Sequence, residues 1–331
     1  MDGMQGGSGR LMVEVHVRPG EGSTLAADVR RGLSGSPKWL PPKHLYEGRG
    51  SELFDQICDT PEYYPTRTER GLLADRAAEI LEAAGRPDTL VELGSGAARK
   101  TRILLEGILS RSGSATYVPV DVSESMLTAS AERLLEDYPG LRVHGVVADY
   151  DRHLDRLPRL GRRLVAFLGG TLGNFEPVAA VTFLGTIGRG LGEDDRFLVG
   201  MDLVKDVHTL EAAYDDAQGV TAAFNLNVLQ VINDQLAGRF DLDRFEHLAR
   251  FDVPKAQIEM HLRSKVAQTV RIEALEMDVS FEAGETIHTE VSRKFTEASA
   301  RSMFAEAGLD VERWWTPANG WFALALARRR G

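Results

Sequence analysis

TLVELGSGAARKTR, residues 89–102, begins as a short apolar run, breaks at Gly94 and Gly96, and resumes with residues that favour a helix. A strand, a glycine turn and a helix in that order are the opening of a βαβ unit, with the backbone of the turn able to approach a bound ligand closely. The third glycine position of a dinucleotide fingerprint is occupied here by Arg99, where close packing of helix on strand needs a small residue, and this counts against a nicotinamide cofactor. Three acids lie in register with the turn. Glu92 stands directly before it, Asp121 closes the next apolar run (ATYVPVDVS), and Asp149 closes the one after that (LRVHGVVADY). Carboxylates at strand ends can accept hydrogen bonds from ribose hydroxyls.

Outward from this stretch the alternation continues. ERGLLADRAAEILEAAG (69–85) has apolar residues at helical spacing and Gly85 as its C-cap, and RRLVAFLGG and DRFLVGMDLV flank the helical PVAAVTFLGTIGRGLG. Five strands joined by helical crossovers predict an α/β fold, a doubly wound and mostly parallel sheet with its ligands outside the carboxyl ends of the strands. The alternation stops near residue 203. A long helical region (VHTLEAAYDDAQGVTAAFNLNVLQVINDQL) and a hairpin-like QIEMHLRSKVAQTVRIEALEMDVSF follow, after which TEASARSMFAEAGLDVERWWTPANGWFALALARR reads as helix, strand, turn, strand. The expected organisation is a flexible N-terminus (1–17, with MVEVHV as a short strand), the N-terminal part of a substrate-binding domain (18–68), the sheet domain (69–202), an inserted α+β substrate-binding domain (203–294) and a C-terminal completion of the sheet (295–331).

The formal net charge of -10 disfavours nucleic acid and anionic membrane surfaces. One cysteine, Cys58, excludes an intramolecular disulfide and a cysteine metal cluster, and the eight histidines show no metal-binding spacing, so no metal is expected. No apolar run is long enough to span a membrane, and the first residues do not resemble a secretory leader. A cytoplasmic monomer acting on a small molecule is expected.

The glycine turn followed by acids at two further strand ends resembles the Rossmann-like class I S-adenosylmethionine-dependent methyltransferases. The motifs PEYYPTRTE, VELGSGAARKTR, FLGGTLGNF, AAYDDAQGVTAAFNLNVL, IEMHL and TEVSRKF, in this order from about residue 40 to the end, resemble more closely the histidine-specific Nα-methyltransferases of ergothioneine biosynthesis. That resemblance implies trimethylation of the α-amine of L-histidine to hercynine, with S-adenosyl-L-methionine as co-substrate. It implies cofactor contacts at Gly94, Lys100, Asp121, Asp149 and Tyr150. For the substrate it implies Asn174 and Tyr214 on the carboxylate, Tyr64 beside the amine and the imidazole, Gly169 and Thr171 around the amine, Met260 against the ring, and Glu290 with Ser292 on the ring nitrogens.

IHTEVSRKF (287–295) bears on the substrate. Strict alternation puts His288, Glu290, Ser292 and Lys294 on one strand face. Glu290 can accept from one ring N–H, and Ser292 can give to or accept from the other nitrogen. Tyr63 and Phe175 read as core aromatics. Two other functions fit parts of this pattern: a related methyltransferase acting on another aromatic amino acid such as tryptophan, and a noncatalytic sensor of S-adenosylmethionine or amino acid. An intact set of cofactor acids together with an intact acceptor loop favours the enzyme.

Overall fold

The computed structural model describes residues 9–17, 24–96, 98–149, 153–154 and 157–331. In chain order the described elements begin with β1 (Leu11–Val15), α1 (Leu25–Leu33), β2 (Lys38–Trp39), α2 (Arg49–Asp59) and α3 (Tyr64–Ala83). Next come β3 (Thr89–Leu93), α4 (Thr101–Ser112), β4 (Ala115–Asp121), α5 (Glu124–Asp137), β5 (Leu141–Val147), β6 (Arg163–Phe167), α6 (Pro177–Gly190) and β7 (Arg196–Asp202). The chain goes on through α7 (Val207–Ala212), α8 (Val220–Leu236), β8 (Phe245–Asp252), β9 (Gln257–Ser264), β10 (Gln268–Ile272), β11 (Met277–Phe281) and β12 (Thr286–Arg293). It closes with α9 (Glu297–Glu306), β13 (Leu309–Trp315) and β14 (Phe322–Arg329). Two compact units result, one of Met1–Pro19, Thr68–Leu203 and Phe295–Gly331, the other of Gly20–Arg67 and Val204–Lys294.

The first unit is built on an eight-stranded sheet in the order β1-β5-β4-β3-β6-β7-β14-β13. Only β14 runs antiparallel to its neighbours. Every residue of β3 and β6 is buried, as expected for central parallel strands covered on both faces. Alternate residues feed two apolar layers. Val91, Val118, Val165 and Val199 belong to one, and Leu90, Tyr117, Leu164 and Leu198 to the other. Strand order reverses at β3, which has β4 on one side and β6 on the other, so the glycine turn after β3 lies at the switch point of the sheet. The helix before β3 ends as its sequence predicts, with Gly85 at φ +76°. The short strand expected at MVEVHV is present as Leu11–Val15, an edge strand paired in parallel with Val143–Val147, while residues 1–8 of the N-terminal segment lie outside the described residues.

The second unit contains a four-stranded sheet, β2-β12-β9-β8, and a separate hairpin, β10-β11. The expected hairpin over 257–281 is therefore corrected. β9 pairs with β8 and β12, whereas β10 turns back onto β11, because β9 alternates on both sides with strands that supply its partners. FEHLARFD, which carries no clear strand signal, is β8. The long helical region divides into α7 and α8 at Asp216–Gly219. Gly219 takes φ +73°, and the Asp216 carboxylate accepts the Val220 and Thr221 N–H groups at 3.0 and 2.7 Å, a cap that starts α8. Among the described residues no helix is long and apolar enough to cross a membrane.

Candidate active site

In the first unit the chain leaves β3 through a turn with Gly94 at φ +69° and Gly96 at φ +47°. A Cβ at either position would meet nothing within 4 Å, so glycine is required by backbone conformation while the space beside the turn stays open. Asp121, at the end of β4, is aimed at this turn: its two carboxylate oxygens accept from Gly96 N and Ser123 N, each at 3.0 Å. Each oxygen keeps a second lone pair, which is what ribose hydroxyls would need. Glu92 faces inward instead. Its Oε2 accepts from Thr101 Oγ1 and Tyr117 Oη, both at 2.5 Å, tying β3 to the start of α4 and to β4. Burial pushes the Glu92 carboxyl up to about 7, against the pull of those two hydrogen bonds. Asp149 follows β5, with its backbone N–H directed to His153 Nδ1 at 3.3 Å, and Tyr150 lies outside the described residues.

The loop after β6 is anchored by a residue that the sequence reading did not single out. Glu69, with no exposed surface, accepts the Gly169 N–H on both oxygens at 2.9 Å and forms an ion pair with Lys100. Gly169 has φ +88°, and a Cβ there would come within 3.3 Å of Thr171 Oγ1 and 3.6 Å of Lys100 Nζ. Thr171 donates to the Leu168 carbonyl at 3.0 Å and opens a short 3₁₀ turn that Asn174 closes. Gly94, Lys100, Asp121, Gly169, Thr171 and Asn174 thus all lie at or just beyond the carboxyl ends of adjacent strands. Phe175 stacks on Phe183 with ring centroids 4.9 Å apart, a core contact.

In the second unit the faces of β12 differ from strict alternation. The β9–β12 ladder pairs His288 with His261 and Glu290 with Met260, a shift of two residues on β12 against one on β9. Thr289 is the extra residue of this bulge, and its hydroxyl donates to the Met260 carbonyl at 3.0 Å. Cross-strand partners share a face, so Met260, Glu290 and Ser292 lie together, while His288 falls on the opposite face with His261 and Glu259. The rings of His261 and His288 are 5.1 Å apart. The expectation that His288 shares the face of Glu290 is corrected by this one extra residue.

Around Glu290 and Ser292 gathers a buried group of hydroxyls and rings. Tyr214 Oη donates to Ser292 Oγ at 2.8 Å, Lys294 Nζ donates to both of those oxygens at 2.9 Å, and Tyr46 Oη donates to Glu290 at 3.4 Å. The Tyr46, Phe54, Tyr63, Tyr214 and Phe224 rings meet one another with centroids 5.2 to 6.2 Å apart. Of the tyrosine pair in PEYYPTRTE, Tyr63 joins this cluster, whereas Tyr64 takes a 2.6 Å hydrogen bond from Lys205. Tyr63, expected as a core aromatic, is buried in this cluster, and the Tyr64 hydroxyl, expected beside the substrate amine, accepts from Lys205. Tyr46 and Lys294 were not candidates in the sequence; both sit inside quoted or neighbouring motifs, but their partners are far away in sequence.

Burial pushes the Glu290 carboxyl up to about 7, with the Tyr46 hydroxyl and the Lys294 ammonium pulling it the other way. A carboxyl raised in the folded state contributes stability below its unfolded pKa of about 4.5, and this is lost as the pH rises through about 7. Glu290→Gln is therefore expected to gain stability over the parent between pH 5 and 8, by on the order of 2 kcal/mol. Calorimetric melting of both proteins at the two pH values checks this; parallel curves would refute a raised pKa.

A family model described as histidine-specific, S-adenosylmethionine-dependent methyltransferase matches residues 25–329. The histidine N-alpha-methyltransferase of Mycolicibacterium smegmatis is 49% identical over 305 residues, covering 92% of this chain and 95% of that protein. The histidine N-alpha-methyltransferase of Mycobacterium tuberculosis is 46% identical over 321 residues, covering 97% and 100%. The ergothioneine biosynthesis protein 1 of Neurospora crassa is 28% identical over 325 residues, covering 97% of this chain and 36% of that longer protein.

Proposed function

The chain belongs to the histidine-specific, S-adenosylmethionine-dependent methyltransferase family, and from that premise we propose that it trimethylates the α-amine of L-histidine to hercynine, toward ergothioneine. The observation that carries the substrate reading is the shared face of Met260, Glu290 and Ser292, an acceptor and a hydroxyl beside an apolar side chain, all buried. Such a face suits a small ring with one N–H and one lone pair.

The co-substrate supplies an electrophilic methyl on sulfonium: the amine lone pair forms the new C–N bond as the C–S pair returns to sulfur. Gly94, Gly96, Asp121 and Asp149 would hold it. An ammonium has three donors, so the pairing of Lys100 with Glu69 leaves it able to meet the methyl donor as well. The amine must be neutral to react, and a free α-amine has a pKa of about 8 or above. Its proton leaves through water, or through a tyrosine hydroxyl that passes on its own; burial holds Tyr46 and Tyr63 well above the ordinary phenol value, which keeps them neutral, so neither stands ready as a phenolate base. Orientation therefore carries most of the rate, and a well-aligned pair can lower the barrier by several kcal/mol. Asn174 is assigned the substrate carboxylate and Gly169 and Thr171 the amine, while Tyr214, whose single proton goes to Ser292, is read with the ring-binding face instead of the carboxylate. The aromatic cluster with Tyr63 suits an amine that grows into a quaternary cation, at ~0.5–2 kcal/mol for each ring face.

Incubation of the protein with S-adenosylmethionine and L-histidine, tryptophan or tyrosine in parallel, read by mass spectrometry, tests the proposal. A gain of three methyls on histidine alone supports it. Methylation of tryptophan instead gives the related amino-acid methyltransferase, and binding with no methyl gained gives the sensor. Asp121→Ala is expected to weaken S-adenosylmethionine binding by about 10- to 100-fold, the worth of one or two charge-assisted hydrogen bonds. Titration calorimetry measures it, and an unchanged affinity would remove Asp121 from the cofactor site.

A further inference from the structure

Lys294 is the penultimate residue of the motif TEVSRKF, yet the reaction as derived gives it no task. It is 4% exposed, and its ammonium hydrogen-bonds the Tyr214 and Ser292 hydroxyls at 2.9 Å each while lying 4.6 Å from the centroid of the Tyr214 ring. An ammonium has donors only, so both hydroxyl oxygens must accept from it. Tyr214 then spends its own proton on Ser292 at 2.8 Å. A serine oxygen has two lone pairs and one proton. With both lone pairs taken, by Lys294 and by Tyr214, what Ser292 can offer a ligand is its proton. Glu290, on the same strand face, offers the opposite role when ionised, since a carboxylate only accepts.

We infer that Lys294 is a positioning residue for substrate recognition: by donating to both hydroxyls it fixes Ser292 as a proton donor facing the Glu290 acceptor, so that the site selects a neutral imidazole in one tautomer. This rests on the reading of the substrate as histidine. A neutral ring with its N–H toward Glu290 and its lone pair toward Ser292 satisfies both groups. An imidazolium leaves the Ser292 proton against an N–H, and the reversed tautomer leaves both contacts repulsive. Lys294 has a second effect through charge. The titratable groups gathered about Glu290 are Tyr46 and Tyr63 from the segment before α3, Cys58 on α2, Tyr214 after α7, and Lys294 beyond β12. Lys294 is the one cation among them, and it favours the ionised carboxylate that accepts the ring N–H.

The test uses the full-length enzyme, with Lys294→Met removing charge and donors together. The expected result is a KM for L-histidine raised at least about tenfold, as for loss of a charge-assisted hydrogen bond, with the Kd for S-adenosylmethionine unchanged within about twofold. The acid limb of kcat/KM for histidine is expected to move to higher pH, because Glu290 without its cation ionises later. A purely structural role for the lysine would leave that limb in place. In a Ser292→Ala background, assayed above the acid limb where Glu290 is ionised with or without its cation, the same substitution is expected to cost less than about twofold further, since two residues acting through one contact are not additive. If Lys294→Met does not fold, as judged by loss of S-adenosylmethionine binding, Lys294→Gln is read by the same criteria. Unchanged histidine KM and pH profile in a folded variant overturn the role of Lys294, as does a full additive loss in the Ser292→Ala background. A parent enzyme inert toward histidine overturns the substrate reading instead, so the two failures are told apart.

Discussion

Glu290→Ala is expected to cut kcat/KM for L-histidine by about 10²- to 10⁴-fold while leaving the Kd for S-adenosylmethionine within about twofold. The lower end is the worth of a charge-assisted hydrogen bond, ~1.5–3 kcal/mol. The upper end follows because the rest of the site stays polar: the Tyr46 hydroxyl and the Lys294 ammonium lose the carboxylate they act on, and a ring held by one of its nitrogens alone meets the methyl donor in many orientations. Steady-state kinetics with histidine and calorimetry with S-adenosylmethionine decide it. Equal losses in both measurements would mean that Glu290 supports the fold, and a loss under threefold would remove it from substrate recognition.

The second large effect is expected at Glu69. Its carboxylate holds Lys100 and the Gly169 N–H at once, so Glu69→Ala leaves a half-buried ammonium and the glycine loop without their shared acceptor. Removing one partner of a fully buried ion pair costs about 3–5 kcal/mol; with the Lys100 ammonium in partial reach of water, a loss on the order of 2 kcal/mol is expected. The same site constrains Gly200 on β7, where an added Cβ would stand 2.0 Å from Glu69 Oε1. Gly200→Ala must therefore displace the carboxylate, and it is expected to reproduce much of the loss caused by Glu69→Ala. Thermal melting, with S-adenosylmethionine binding alongside, tests both. A melting temperature lowered by less than about 2 °C in either variant would show that the loop is held elsewhere.

The features legible in the sequence are those whose physical cause is local. Gly94 and Gly96 announce themselves because a left-handed turn needs glycine, and Asp121 because a strand and its terminal residue are adjacent in the chain. The parallel sheet follows from the alternation of apolar runs and helical repeats, and the last two strands from the texture of 309–329. What could not be read depends on distant partners. Glu69 finds Lys100 at a separation of 31 residues and Gly169 at 100, and Lys294 finds Tyr214 at 80. The face of His288 could not be read either, because a bulge is set by the register of the partner strand and not by the bulged sequence. Tyr63 and Tyr64 are neighbours of one type, and only packing distinguishes the one that meets Tyr214 from the one that meets Lys205.

Thr289 has a consequence for how this strand can change in length. Because it is surplus to the ladder, a chain that lost it would join His288 directly to Glu290 with each already on its proper face, and the pairing of β12 with β9 would run unbroken. Loss of Val291 would instead interrupt the alternation that keeps Glu290 and Ser292 together, whereas loss of His288 would let Thr289 take its place opposite His261. A single-residue deletion is thus absorbed at the bulge and disruptive at Val291, so the strand can shorten before Glu290 while the chemistry beyond it stays in phase.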